Sequence, residues 1–147
     1  MSIQCDIVTQ ERLVFSGQVD MVSLPGTEGR MGILPDHMPM LTTLDFGEVK
    51  VCLGDQEEFY AIGGGFAEIQ PDHVIILADS AEHADEIDLD RAQKAREKAE
   101  KVMKEGVPED PVRYAQIRAA LRRADIRIDV SRRRRRRAIP GMPGHEE

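Results

Sequence analysis

Hydrophobic positions in the first half of the chain recur at every second residue. Ile3, Cys5 and Ile7 alternate with Gln4, Asp6 and Val8, and Val49, Val51 and Leu53 alternate with Glu48, Lys50 and Cys52. A period of two sends successive side chains to opposite faces of a strand, so each segment reads as a strand with one buried face. Residues 19–24, 59–62, 66–69 and 74–77 are further apolar or half-apolar runs, and Pro25-Gly26, Pro35-Asp36, Gly54-Asp55 and Pro71-Asp72 mark turns between them. Strands at this spacing, with no helical period between them, predict an antiparallel sandwich or barrel over residues 1–84.

After Ala84 the period changes to three and four. Leu89, Ala92, Ala95 (or Arg96), Ala99, Val102 and Met103 form one helical stripe with Asp88 as its N-cap. Residues 105–109 break that helix, and Asp110-Pro111 restarts one with a cap residue followed by Pro at the first helical position. Tyr114, Ile117, Leu121, Ala124 and Ile128 mark the second stripe. So short a break predicts an antiparallel helical hairpin over residues 85–131. Its stripes are narrow and rich in alanine, so it buries little area and is expected to be held weakly. Residues 132–147, with six consecutive arginines at the start, are expected to form a disordered tail.

Charge sharpens this division. The 147 residues carry a net charge of -7, but residues 118–137 hold ten arginines against two acids, while residues 79–90 hold six acids and no Lys or Arg. Such asymmetry points to parts with different jobs. Several chemistries are not expected. No run approaches the roughly 18 apolar residues of a membrane-spanning helix. No basic-then-apolar leader opens the sequence, and Cys5 and Cys52 form neither a disulfide framework nor a zinc pattern, so a reducing cytoplasmic setting is expected. His37, His73, His83 and His145 are scattered, which argues against a metal site. Gly63-Gly64-Gly65 lacks the Lys-Ser or Lys-Thr of a phosphate loop and reads as a strand bend or bulge. No Ser or Cys sits in a nucleophile elbow, so no catalytic residue is assigned. With no Trp and 4% aromatics, a base-stacking surface is not expected.

Two stretches carry a family pattern. One is Glu28-Gly29-Arg30-Met31-Gly32-Ile33-Leu34-Pro35-Asp36-His37-Met38-Pro39-Met40-Leu41; the other begins Ile62-Gly63-Gly64-Gly65-Phe66-Ala67-Glu68-Ile69-Gln70-Pro71-Asp72-His73 and runs to Ala78. With the hairpin after Asp88, they resemble the epsilon subunit of bacterial F-type ATP synthases over nearly the whole chain. The resemblance implies a flattened sandwich of about ten antiparallel strands, followed by a regulatory two-helix hairpin. It implies that the sandwich binds the gamma subunit and the c-subunit ring. It further implies that the hairpin permits ATP hydrolysis when folded and inhibits it when extended into the alpha/beta catalytic head. Catalysis belongs to other subunits. The implied setting is peripheral, on the cytoplasmic face of a bacterial inner membrane, with membrane contact only through the complex and no nucleic acid partner.

The resemblance also assigns candidate residues. The family's nucleotide motif stands here complete as Ile87-Asp88-Leu89-Asp90-Arg91-Ala92, and Glu82, Arg123 and Arg127 match further positions of ATP-binding relatives. Arg123 and Arg127 are four apart on one helix face and could fork onto phosphate oxygens. Lys98 stands where such relatives have another arginine, a point charge in place of a planar fork. ATP is thus expected as a regulatory ligand, with no resident cofactor; the competing reading is that Asp88 merely caps the helix and Arg91 pairs locally. Glu28, Arg30 and His37 are candidates for the loop facing the c ring, although relatives often carry an acid at Arg30, and His37 also suits a simple turn role. Arg118, Arg122, Arg132 and Arg133 are candidates for an inhibitory contact with acidic surfaces of the catalytic head. A different class of function stays open, a free-standing nucleotide-sensing module.

Overall fold

The computed structural model describes residues 1–106 and 108–133. Its strands are β1 (Ile3–Val8), β2 (Leu13–Val19), β3 (Met21–Gly26), β4 (Gly29–Ile33), β5 (Met40–Leu53), β6 (Gln56–Ile69), β7 (His73–Ala78) and β8 (Ala81–His83). A single 3-10 turn, Ala84–Glu86, leads to α1 (Leu89–Lys104) and α2 (Pro111–Arg132). The strands join in the order β2-β1-β7-β6-β5-β3-β4, with β8 paired to β6. The count among described residues is eight because β5 and β6 each run for 14 residues. The sheet is mixed: β1 and β7 run parallel, whereas every other pair is antiparallel.

One sheet makes a two-layered body because its two long strands exchange faces midway. In β6 the core takes Tyr60 and Ile62 at one end and Ala67 and Ile69 at the other; in β5 it takes Val49 and Val51, then Leu44. Even positions give way to odd ones in β6 at Gly64 and Gly65, which have φ of 100° and 133°. That region of the backbone favours glycine. Strand β6 also changes neighbours there, from β8 (up to Ile62) to β7 (from Gly65). A Cβ on Gly65 would lie 2.1 Å from the Leu77 carbonyl oxygen, so no larger residue fits. The glycine cluster is the strand bend that its sequence suggests. The fold-over brings Phe15 of β2 edge-on to Tyr60 of β6, with ring centroids 6.0 Å apart across the core.

The interior is apolar apart from Glu58 and His83, both buried. His83 Nε2 lies 2.5 Å from Glu58 Oε2, and the Asp85 N–H donates to His83 Nδ1 at 3.1 Å. With Nδ1 accepting, the proton sits on Nε2 and is donated to the carboxylate. This pair caps the 3-10 turn and fixes the point where the chain leaves the sandwich.

Both helix starts are capped as the sequence predicts. Asp88 accepts from the Arg91 N–H, and Asp110 accepts from the Val112 N–H with Pro111 as the first helical residue. The predicted stripes need correction. Ala95 and Arg96 are exposed, and α1 buries Ala92 and Ala99. In α2, Ala124 and Ile128 are buried as expected, but Val130 is buried too, although it lies off the stripe. Val130 and the half-buried Ile126 pack on Phe59, Ala61, Ala84 and Ile87. Thus α2 has two contact faces, one toward α1 and a second, near its C-terminal end, on the sandwich. Arg132 closes α2 and Arg133 caps it, where the sequence suggests the start of a disordered tail; the rest of that stretch lies outside the described residues.

Candidate functional site at the hairpin dock

The contact between α2 and the sandwich is built largely from arginines. Arg122 Nη2 donates to Asp45 Oδ2 at 2.7 Å, Arg127 Nη2 donates to Glu82 Oε2 at 3.1 Å, and Arg133 Nε lies 2.6 Å from Glu48 Oε2. The helix thereby meets three separate acids of β5 and β8. Aromatic faces back these pairs: the guanidinium carbons of Arg122 and Arg123 each lie 5.9 Å from the Phe46 ring centre, and that of Arg133 lies 5.6 Å from Phe59. The bond from Arg122 holds the Asp45 carboxyl below its ordinary pKa. Because these groups keep partial solvent access, each pair contributes at most about 1 kcal/mol. At the root of the hairpin, Arg12 Nη2 lies 2.6 Å from Glu86 Oε2, a bond that pushes the Arg12 pKa up.

Only part of the expected nucleotide set converges. Glu82, Arg123 and Arg127 line one small cavity of about 30 Å³ together with Phe46, Ser80 and Ile126. That volume suits about one water, not a nucleotide. Arg127 Nε lies 3.0 Å from Glu82 Oε1 but off the line of a hydrogen bond, so a buried N–H is left unsatisfied there. Ile87 is spent on the apolar cluster under α2, Asp88 on capping, and Ala92 is buried. Arg91 and Lys98 are exposed on α1. They are seven positions apart on the helix, about 10 Å along the axis. Neither forms an ion pair among the described residues.

The other candidates are placed as follows. Glu28 is exposed in the turn between β3 and β4. His37 Nδ1 bonds the Met38 carbonyl at 2.8 Å, which fits the turn role. Arg30 on β4 donates to the Glu48 carbonyl at 2.7 Å and lines an open cavity of about 300 Å³ with Ile126, Asp129, Val130 and Arg133. It therefore sits beside the end of α2. Of the four candidate inhibitory arginines, Arg122 and Arg133 are engaged with the sandwich, Arg118 lies 5.7 Å over the Tyr114 ring, and Arg132 is exposed.

A second surface escapes the motif reading. Strand register aligns Thr43, Phe66, Leu77, Val8 and Leu13 in one row across β5, β6, β7, β1 and β2. Phe66, Leu77 and Leu13 are 44%, 38% and 48% exposed, and Leu41 in the adjacent row is 69% exposed. One sequence signal points to this face. Residues 74–77 are apolar on both phases, the pattern of a strand that contacts something on each side.

Residues 2–84 match the family model described as ATP synthase, Delta/Epsilon chain, beta-sandwich domain, and residues 85–132 match its long alpha-helix domain. The chain is 50% identical over 137 residues to an ATP synthase epsilon chain of Herpetosiphon aurantiacus, covering 93% of this chain and 99% of the relative. It is 47% identical to one of Dehalococcoides mccartyi over 91% of this chain and 95% of the relative. Among solved structures it resembles a chain of the Euglena gracilis mitochondrial ATP synthase (OSCP, F1 and c-ring assembly), with a TM-score of 0.74 and 25% identity over 84% of this chain and 78% of that one.

Proposed function

The chain belongs to the delta/epsilon chain family of ATP synthases, non-catalytic subunits of that complex, and on that premise we propose that it joins the rotor through its sandwich and regulates ATP hydrolysis through its hairpin. The observation that carries this reading is the pair of outer faces. One is covered by the chain's own α2, and the opposite one presents an apolar row that no described residue covers, Phe66, Leu77, Val8 and Leu13. An exposed contiguous apolar surface marks a site for a macromolecular partner. The gamma subunit is the partner we assign to it, with the turns near Glu28 and His37 left to meet the c ring.

The hairpin suits a switch because little apolar area holds it. Its release would expose Phe59 and Ala61 and free Arg122, Arg127 and Arg133 for acidic surfaces of the catalytic head. Regulation by ATP is part of the proposal. The complete Ile87–Ala92 motif and the convergence of Glu82, Arg123 and Arg127 on one cavity support it. ATP would first have to part Arg127 from Glu82 and enlarge the small cavity, so its binding would go with a shift of α2. No helix among the described residues is long and apolar enough to cross a membrane, which accords with peripheral attachment. The inner-membrane cytoplasmic face remains our assignment.

The docking reading is tested by Phe66→Glu and Leu77→Glu. Each buries a charge in the proposed interface and should weaken gamma binding at least about tenfold while the isolated chain stays folded. Unchanged binding to gamma by both variants would refute the assigned face.

A further inference from the structure

Glu48 stands between two arginines from different parts of the chain. Its Oε2 lies 2.6 Å from Arg133 Nε at the end of α2, and its Oε1 lies 3.8 Å from Arg30 Nη2 on β4. The Glu48 side chain is only 18% exposed, whereas the Arg133 and Arg30 side chains are 56% and 46% exposed. The Arg30 guanidinium has a second anchor, the Glu48 carbonyl at 2.7 Å. Glu48 itself is fixed by backbone pairing to Ala61 in the centre of the sheet. One carboxylate thus faces two cations, and the closer belongs to the hairpin.

We propose that Glu48 is the latch for the closed hairpin and that Arg30 and Arg133 compete for it. The location makes this effective. The apolar contact of α2 with the sandwich is at Ile126 and Val130, in its last two turns, while an open cavity of about 580 Å³ lined by Phe46, Tyr114, Arg118 and Arg122 flanks its earlier turns. The C-terminal end is therefore the anchored end, and Arg133, seated on Glu48 and over Phe59, is its last tie among the described residues. Arg30 draws on the same carboxylate and forms no ion pair with α2 among the described residues, although Asp129 lines the same cavity, and its like charge repels Arg133. An acidic group of a partner that drew Arg30 outward would leave Glu48 to Arg133 and tighten closure. Events at the edge of β4 then reach the hairpin through one side chain.

The latch is read on the isolated full chain, so the result is independent of whether a released hairpin inhibits hydrolysis. Ala61 is buried under α2, so the thiol in Ala61→Cys reacts only when the hairpin lifts. Cys52→Ser removes the half-buried native thiol, and Cys5, wholly buried in the sandwich with its thiol pKa pushed far up by burial, reports whether the sandwich itself opens. In this background, Glu48→Gln and Arg133→Ala should each raise the Ala61→Cys labelling rate about three- to fivefold. Their combination should raise it little further, as expected for two groups in one contact. Arg30→Ala should act in the opposite sense and slow labelling about twofold, with Cys5 unreactive throughout. Unchanged labelling in Glu48→Gln would overturn the latch, and faster labelling in Arg30→Ala would overturn the competition.

Discussion

Strand β6 presents an aromatic outward on each side of its bend, and the two end differently. Phe59, before the glycines, lies beneath α2 and is 6% exposed; Phe66, after them, is 44% exposed on a face that none of the described residues covers. The covered face carries Asp45, Glu48 and Glu82 beside its apolar residues, and the covering helix answers with arginines. The uncovered face presents a row of apolar side chains with Glu68 and Asp6 in the adjacent row, and no described arginine answers them. A cover that must come off is held by many weak, water-accessible ion pairs over a small apolar cluster. A surface for a lasting partner offers apolar area.

The largest effect should come from removing the bend that creates both faces. Gly65→Val puts a branched side chain where even a Cβ would overlap the Leu77 carbonyl, at a φ of 133°. We expect a loss of more than about 3 kcal/mol in denaturant unfolding, with both faces disrupted together. Near-native stability would show that the phase change does not depend on glycine.

Ile128→Ala should have a smaller and one-sided effect. Ile128 is buried in the hairpin, away from the sandwich core, so the substitution should cost about 2 kcal/mol confined to the helices. Calorimetry should show the hairpin melting earlier while the sandwich transition stays in place. A matching fall of both transitions would mean that the two regions fold as one unit.

The smallest effect is acid-dependent. The Asp45 carboxyl has its pKa lowered in the docked state from an ordinary value of 3.8, chiefly by the bond from Arg122. Its contribution is complete above that ordinary value and is lost as pH falls through the lower, docked-state pKa. A distance between spin labels at Asp55→Cys and Gln116→Cys, with Cys52→Ser, should stay constant from about pH 7 to 5 and lengthen below about pH 4. Asp45→Asn should remove part of that lengthening. An identical acid response in Asp45→Asn would take this pair out of the comparison.

Much of this was legible in the residues. Period-two segments gave the strands, and Asp88 and Asp110-Pro111 marked both helix starts because a cap needs only its neighbours. The glycine bend was legible as a bend, but its consequence, the exchange of inner and outer positions in β5 and β6, depends on which strands meet on each side. Val130 and Ile126 were missed because a single stripe assumes one contact face, and α2 has two. The partners of the arginines were not legible at all. Asp45, Glu48 and Glu82 lie 77, 85 and 45 residues from Arg122, Arg133 and Arg127, and only the folded sheet brings them together. The resemblance, in turn, names Arg91 in the motif and Lys98 at a further position, and both lie exposed on α1, outside the cavity that Glu82 and Arg127 line.

The central claim is that the sandwich docks and the hairpin regulates. It is tested most directly by ATP hydrolysis of a matching alpha-beta-gamma core, with either the full chain or residues 1–87 added. The account predicts that both bind the core and that only the full chain inhibits, increasingly as Glu48→Gln or lower ATP favours release. Equal hydrolysis with the two forms, at matched binding, would contradict it.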